Sequence, residues 1–84
     1  MITDELINER GKTHGEWYQQ AACHKELLDL FRGYGIEVMN PSLSIALIMI
    51  ACKLSRILAG DPNFRDHWDD IAGYAKLAAE RCAK

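Results

Sequence analysis

The stretch from Asn40 to Gly60, NPSLSIALIMIACKLSRILAG, decides the fold. Asn followed by Pro is a helix start: the Asn side chain accepts a free amide, and proline at the first helical position gives up only an N–H that has no partner there. From Ile45 to Cys52 the segment is apolar nearly all round, which marks the central, most buried helix of a bundle. Gly60 closes it. The apolar run Leu43 to Cys52 is about half the length that spans a bilayer, and Lys53 interrupts it, so a core helix is expected and a membrane is not.

Outward from this helix, GDPN at 60–63 is a tight connection, and a fourth helix follows with Phe64, Trp68, Ile71, Ala75, Ala78 and Cys82 on one stripe. Helices three and four are expected to form an antiparallel hairpin. On the N-terminal side, Ile2, Leu6 and Ile7 give a short amphipathic first helix that should fade by Gly11. Thr13 and Glu16 have the spacing of a capping box opening helix two, whose seam runs Trp17, Ala21, His24, Leu28 and Phe31 to a stop at Gly33 or Gly35. Strand-like alternation is confined to GIEVM at 35–39. The expectation is one all-α domain over residues 1–84, a bundle of about four helices.

With 84 residues the chain buries a modest core, which makes a homo-oligomer the expected partner state. A net charge of −2 lacks the cationic surplus of a sequence-independent DNA binder, so DNA is not an expected partner. Cys23, Cys52 and Cys82 are odd in number and contain no Cys-x-x-Cys pair, which fits a reducing cytoplasm better than a disulfide framework or a zinc knuckle. The acidic, amphipathic start shows no export signal.

Two segments could carry chemistry. In ERGKTHG, Glu9 to Gly15, the letters GKT end a phosphate-binding loop only when an earlier glycine and a buried strand precede them. Here Leu6 stands at the first glycine position and a helix precedes, so the segment reads as a turn and cap. Arg10, Lys12 and His14 beside a helix start remain a modest anion site. In RDHWDDIAGYAK, Asp66, Asp69, Asp70 and Gly73 share one helical face. Lys53 and Arg56 share a face at the end of helix three, which the hairpin brings alongside. The bland reading is a salt-bridged hairpin. The functional one is a pocket in which Lys53 and Arg56 hold phosphate while Asp66 and Asp69 or Asp70 hold Mg²⁺ through oxygen. His67 and Tyr74 could reach a base or sugar, although packed side chains with polar tips at the surface are the simpler reading. His24 reads as a hydrogen-bonded core histidine, Cys23 as a small buried hydrophobe, Gly73 as a point of close approach for a helix or a ligand, and Trp17, Tyr18 and Trp68 as core fillers before anchors of an oligomer or partner surface.

Both segments together resemble a family of short phage and prophage proteins of unknown function, which carry ERGKTHG before the second helix and K-x-x-R-I-L-x-G-D-P-N-x-x-D-H-W-D-D-I-A-G-Y-A near the C-terminus, here Lys53 to Ala75. More distantly, Asp66, Asp70 and Tyr74 are similar to the last helix of MazG-like all-α nucleotide pyrophosphohydrolases and of nucleotide-modification-associated phage domains. That likeness implies a nucleotide ligand, with Mg²⁺ at Asp66 and Asp69 if the protein hydrolyses it. The paired glutamates of the MazG-like first motif are missing: helix two offers only Glu16, Glu26 and Asp29. The expected ligand residues are thus Lys53, Arg56, His67, Asp70, Tyr74, Lys12 and His14, in a cytoplasmic protein that sequesters a nucleotide signal of bacterial defence or acts as a reduced hydrolase. The alternative is an anti-defence inhibitor, for example of a CRISPR effector, binding a host defence protein through aromatic residues and an acidic surface at Asp61, Asp66, Asp69 and Asp70.

Overall fold

The computed structural model describes residues 2–83 and places them in four helices. Helix α1 spans Ile2–His14, α2 Trp17–Gly33, α3 Pro41–Ala59 and α4 Arg65–Glu80, with a 3-10 turn at Ile36–Val38 and no strand among the described residues. The all-α expectation holds, and GIEVM becomes that turn. Helix α3 is central, packed chiefly on α4 and α2, with α1 laid against its C-terminal end. Its expected bounds hold because Asn40 Oδ1 accepts the Ser42 amide at 2.8 Å with proline at the helix start.

The N-terminal expectations need correction. Helix α1 runs through Gly11 to His14 and stops at Gly15, whose φ of +88° ends the ladder while its N–H donates to the Gly11 carbonyl at 3.2 Å. A single internal glycine costs a helix only about 1 kcal/mol, less than the tertiary contacts at its end return. Thr13 is therefore inside α1 and caps nothing. Glu16 is itself the N-cap of α2, one carboxylate oxygen accepting from the Tyr18 amide at 3.0 Å and the other from the Gln19 amide at 3.1 Å. The side chain of Ile2 lies outside the described ones.

The expected seams hold in part: Ala21, His24, Leu28 and Phe31 on α2 and Phe64, Ile71 and Ala78 on α4 are half-buried, but neither tryptophan joins them. On α2 the buried residue is Gln20, while Trp17 is 71% exposed. On α4 it is His67, while Trp68 is exposed and donates its indole N–H to the Pro62 carbonyl at 2.8 Å. Tyr18 is exposed as well, so none of the three large aromatics fills the core. No foreign atom lies near the position a Cβ would take at Gly73, so close approach does not explain that glycine. The Nε2 of His24 is buried without a hydrogen-bond partner among the described residues, against the expectation of a satisfied core histidine.

The core is thin. Among the described residues, the buried apolar ones are Ile36, Ala46, Ala51 and Ile57. The molecule measures 49 × 25 × 22 Å, with a radius of gyration of 14.3 Å against about 12 Å for a compact domain of this length. Helix α3 is long and apolar enough to cross a membrane by length and composition, yet only 22% of that span is buried within the chain.

Candidate functional site

The end of α1 is clasped to the loop between α3 and α4. A Cβ built on Gly60 would lie 2.5 Å from the carbonyl carbon of His14 and from the Thr13 oxygen, and 2.6 Å from the Arg56 oxygen. Only glycine lets the two backbones come that close. The Thr13 carbonyl then accepts two hydrogen bonds, from the Asp61 amide at 3.0 Å and from Nε2 of His67 at 3.0 Å. A carbonyl can only accept, so Nε2 carries the hydrogen. His67 is 1% exposed, with the His14 ring edge-on at 4.6 Å and the Phe64 ring at 4.8 Å. Its expected surface tip is therefore corrected: the ring is a buried tie between α4 and α1, out of reach of a base or sugar.

Beside this clasp a cleft of about 730 Å³ opens between α1, the start of α2 and α3. Arg10 and His14 line it from α1, Trp17 and Gln20 from α2, and Arg56 from α3. The Nε of Arg56 is buried and has no hydrogen-bond partner among the described residues. Glu16 is the one acidic residue on the wall, and both its oxygens already cap α2. Two arginines, Arg10 and Arg56, stand against this one carboxylate, so the wall keeps a positive excess.

The potential there registers on His14. Burial, and then the charges of Arg56, His67, Arg10 and Lys53, hold its pKa below the ordinary 6.5. Above that value neither the folded nor the unfolded chain carries the proton, and stability does not depend on it. As the pH falls through 6.5 the unfolded chain takes up a proton that the folded His14 refuses, so stability is lost on the acid side. Denaturant midpoints measured at about pH 7.5 and 5.5 should therefore fall with pH in the wild type and fall less in His14→Asn. An equal loss in both proteins removes His14 as the cause.

Lys53 and Arg56 part company. Lys53 reaches Asp70 at 3.0 Å, as the salt-bridged hairpin requires, whereas Arg56 turns into the cleft. Asp69 pairs with Arg65 at 3.3 Å, Lys12 pairs with Glu9 at 3.3 Å, Asp66 is exposed and Tyr74 is half-buried. Among the described residues no three His, Cys, Asp or Glu side chains come together, so none of these brings a third ligand to Asp66 and Asp69. Of the expected ligand residues only His14 and Arg56 share the cleft. Trp17 and Gln20 were missed as a site, although they lie three residues apart on one helical face directly after the ERGKTHG segment.

The family model for a domain of unknown function, DUF6378, matches residues 2–82. The chain is a DUF6378 protein. No curated protein and no solved structure matches it. The clasp thus lies wholly within the DUF6378 domain, and the two segments most distinctive in its sequence are the two that meet in space.

Proposed function

We propose that this DUF6378 protein binds a nucleotide or another phosphorylated ligand in the cleft between α1, α2 and α3. The observation that carries the reading is Arg56: a guanidinium whose Nε is buried without a partner, beside a second arginine and with no free carboxylate on the wall. A buried N–H left without an acceptor is costly, and an anion in the cleft relieves that cost. Burial is the main cause of the lowered His14 pKa, but the second one, the positive charges of Arg56, Arg10 and Lys53, also attracts a phosphate. Trp17, 71% exposed at the cleft edge, offers a face on which a base can stack.

The likeness of Asp66, Asp70 and Tyr74 to MazG-like enzymes and to phage nucleotide-modification domains bears on the class of ligand, a nucleotide, and not on the cleft, which none of the three lines. Binding is favoured over Mg²⁺-dependent hydrolysis, since hydrolysis needs a metal cage that Asp66 and Asp69 do not form by themselves. A phage-type protein in the host cytoplasm would then act by sequestering a nucleotide signal of bacterial defence. The rival, a protein-interaction inhibitor, draws support from the exposed Trp17 and Tyr18. Its acidic variant is weakened by the pairing of Asp70 with Lys53 and of Asp69 with Arg65.

A thermal-shift screen with nucleoside triphosphates, cyclic nucleotides and inorganic phosphate, with and without Mg²⁺, tests the reading. At least one nucleotide is expected to raise Tm, with the affinity falling about 30-fold or more in Arg56→Gln and changing little in Asp70→Asn. Absence of any shift at millimolar concentration sinks the proposal. Loss of the shift in Asp70→Asn but not in Arg56→Gln moves the ligand to the hairpin face.

A further inference from the structure

We propose that an uncovered apolar stripe on α3 is the interface with a second copy of this chain. At about 100° per residue, Leu43, Leu47, Ile50, Leu54 and Leu58 fall within an arc of about 80°. Their spacings of four, three, four and four residues keep them on one face, close to the seam pattern of paired helices. The stripe lies between two sealed flanks. Ala46 and Ile57 are buried on one flank, the side on which Lys53 reaches Asp70 of α4, and Ala51 and Ser55 are buried on the other. Leu47 and Leu58 between them are 36% and 72% exposed, and Leu43, Ile50 and Leu54 are only half-buried.

Area identifies the occupant. The chain exposes 6244 Å², about 1,200 Å² more than the roughly 5,000 Å² expected of a 9.5 kDa monomer. A standard interface takes about 800 Å² from each partner, so the whole-chain excess is large enough for one two-fold contact. Every copy carries the same stripe, so a two-fold axis sets stripe against identical stripe. A bilayer is a poor substitute, because α4, flanking the stripe through the Lys53–Asp70 pair, carries Arg65, Asp66, Asp69, Lys76 and Glu80 on its surface. Arg56 sits about 160° round α3 from the stripe, so dimerisation leaves the cleft open and does not depend on a ligand.

Light scattering and sedimentation of the full chain test the interface. The wild type is expected at twice 9.5 kDa at micromolar concentration. Leu58→Glu and Leu47→Glu, both at exposed sites, should weaken the dimer about 30-fold or more while keeping the helical circular dichroism. Ile45→Glu and Leu77→Glu, equally exposed apolar positions off the stripe, should leave the dimer intact. Should a stripe glutamate unfold the chain, Leu58→Gln replaces it with the same expectation. A monomeric wild type overturns the proposal, as does a dimer that survives both stripe changes or dissociates in the off-stripe controls. Flotation of the wild type with phosphatidylcholine–phosphatidylglycerol vesicles overturns it in favour of a lipid surface.

Discussion

Gly15→Ala is expected to destabilise the protein by about 3 kcal/mol or more. Two independent costs add. The backbone φ of +88° is a left-handed conformation that alanine adopts only with strain. The new methyl would also be driven into the Ala59 carbonyl group, 2.5 Å from its carbon, with no flexible side chain able to move aside. Relief requires α1 to lift from the end of α3. Urea unfolding followed by circular dichroism reads the cost, with Gly11→Ala as the comparison. Nothing lies within 4 Å of a Cβ at Gly11, inside the same helix, so that change should stabilise slightly. Equal midpoints for the two variants would falsify the clasp.

The second large effect is expected at His67. His67→Ala should cost about 2–4 kcal/mol, because it empties a site that is 1% exposed and leaves the Thr13 carbonyl one donor short. His67→Gln keeps a donor and should recover part of the loss. A second readout separates the lost tie from a general loosening. The Asp61 amide donates to the same carbonyl, so its hydrogen exchange should accelerate in His67→Ala more than that of the α3 interior amides. Uniform acceleration across the chain would mean that His67 is only one core residue among others.

Sequence reading succeeded where the signal is local. The bounds of α3 follow from Asn40, Pro41 and Gly60, each acting on its own backbone neighbours, and the hairpin follows from a connection too short to do anything else. It failed where a distant atom decides. Between Gly11 and Gly15 the choice of helix end is settled by the fit of Gly15 against Ala59, which no local pattern contains. Between His67 and Trp68, adjacent amphipathic residues about 100° apart on the helix, periodicity favours the larger ring. The Thr13 carbonyl brings the smaller one inside. Lys53 and Arg56 looked equivalent for the same reason. Being three residues apart on one face does not reveal that α3 is surrounded by three different neighbours, one of which supplies Asp70 and another the cleft.

The doubly bonded Thr13 carbonyl also orders events in time. The α3–α4 hairpin closes through a short loop, whereas the bond from His67 to Thr13 joins residues 54 positions apart. Closing a long loop carries the larger entropic penalty, and that penalty is recovered only after the hairpin exists to receive the chain. The α1 helix is thus expected to dock last and to leave first, which native-state hydrogen exchange of the α1 amides against those of α3 would read. One wall of the cleft, from Ile7 to His14, is carried by that late-arriving segment, so the cleft exists only for as long as the clasp stays shut.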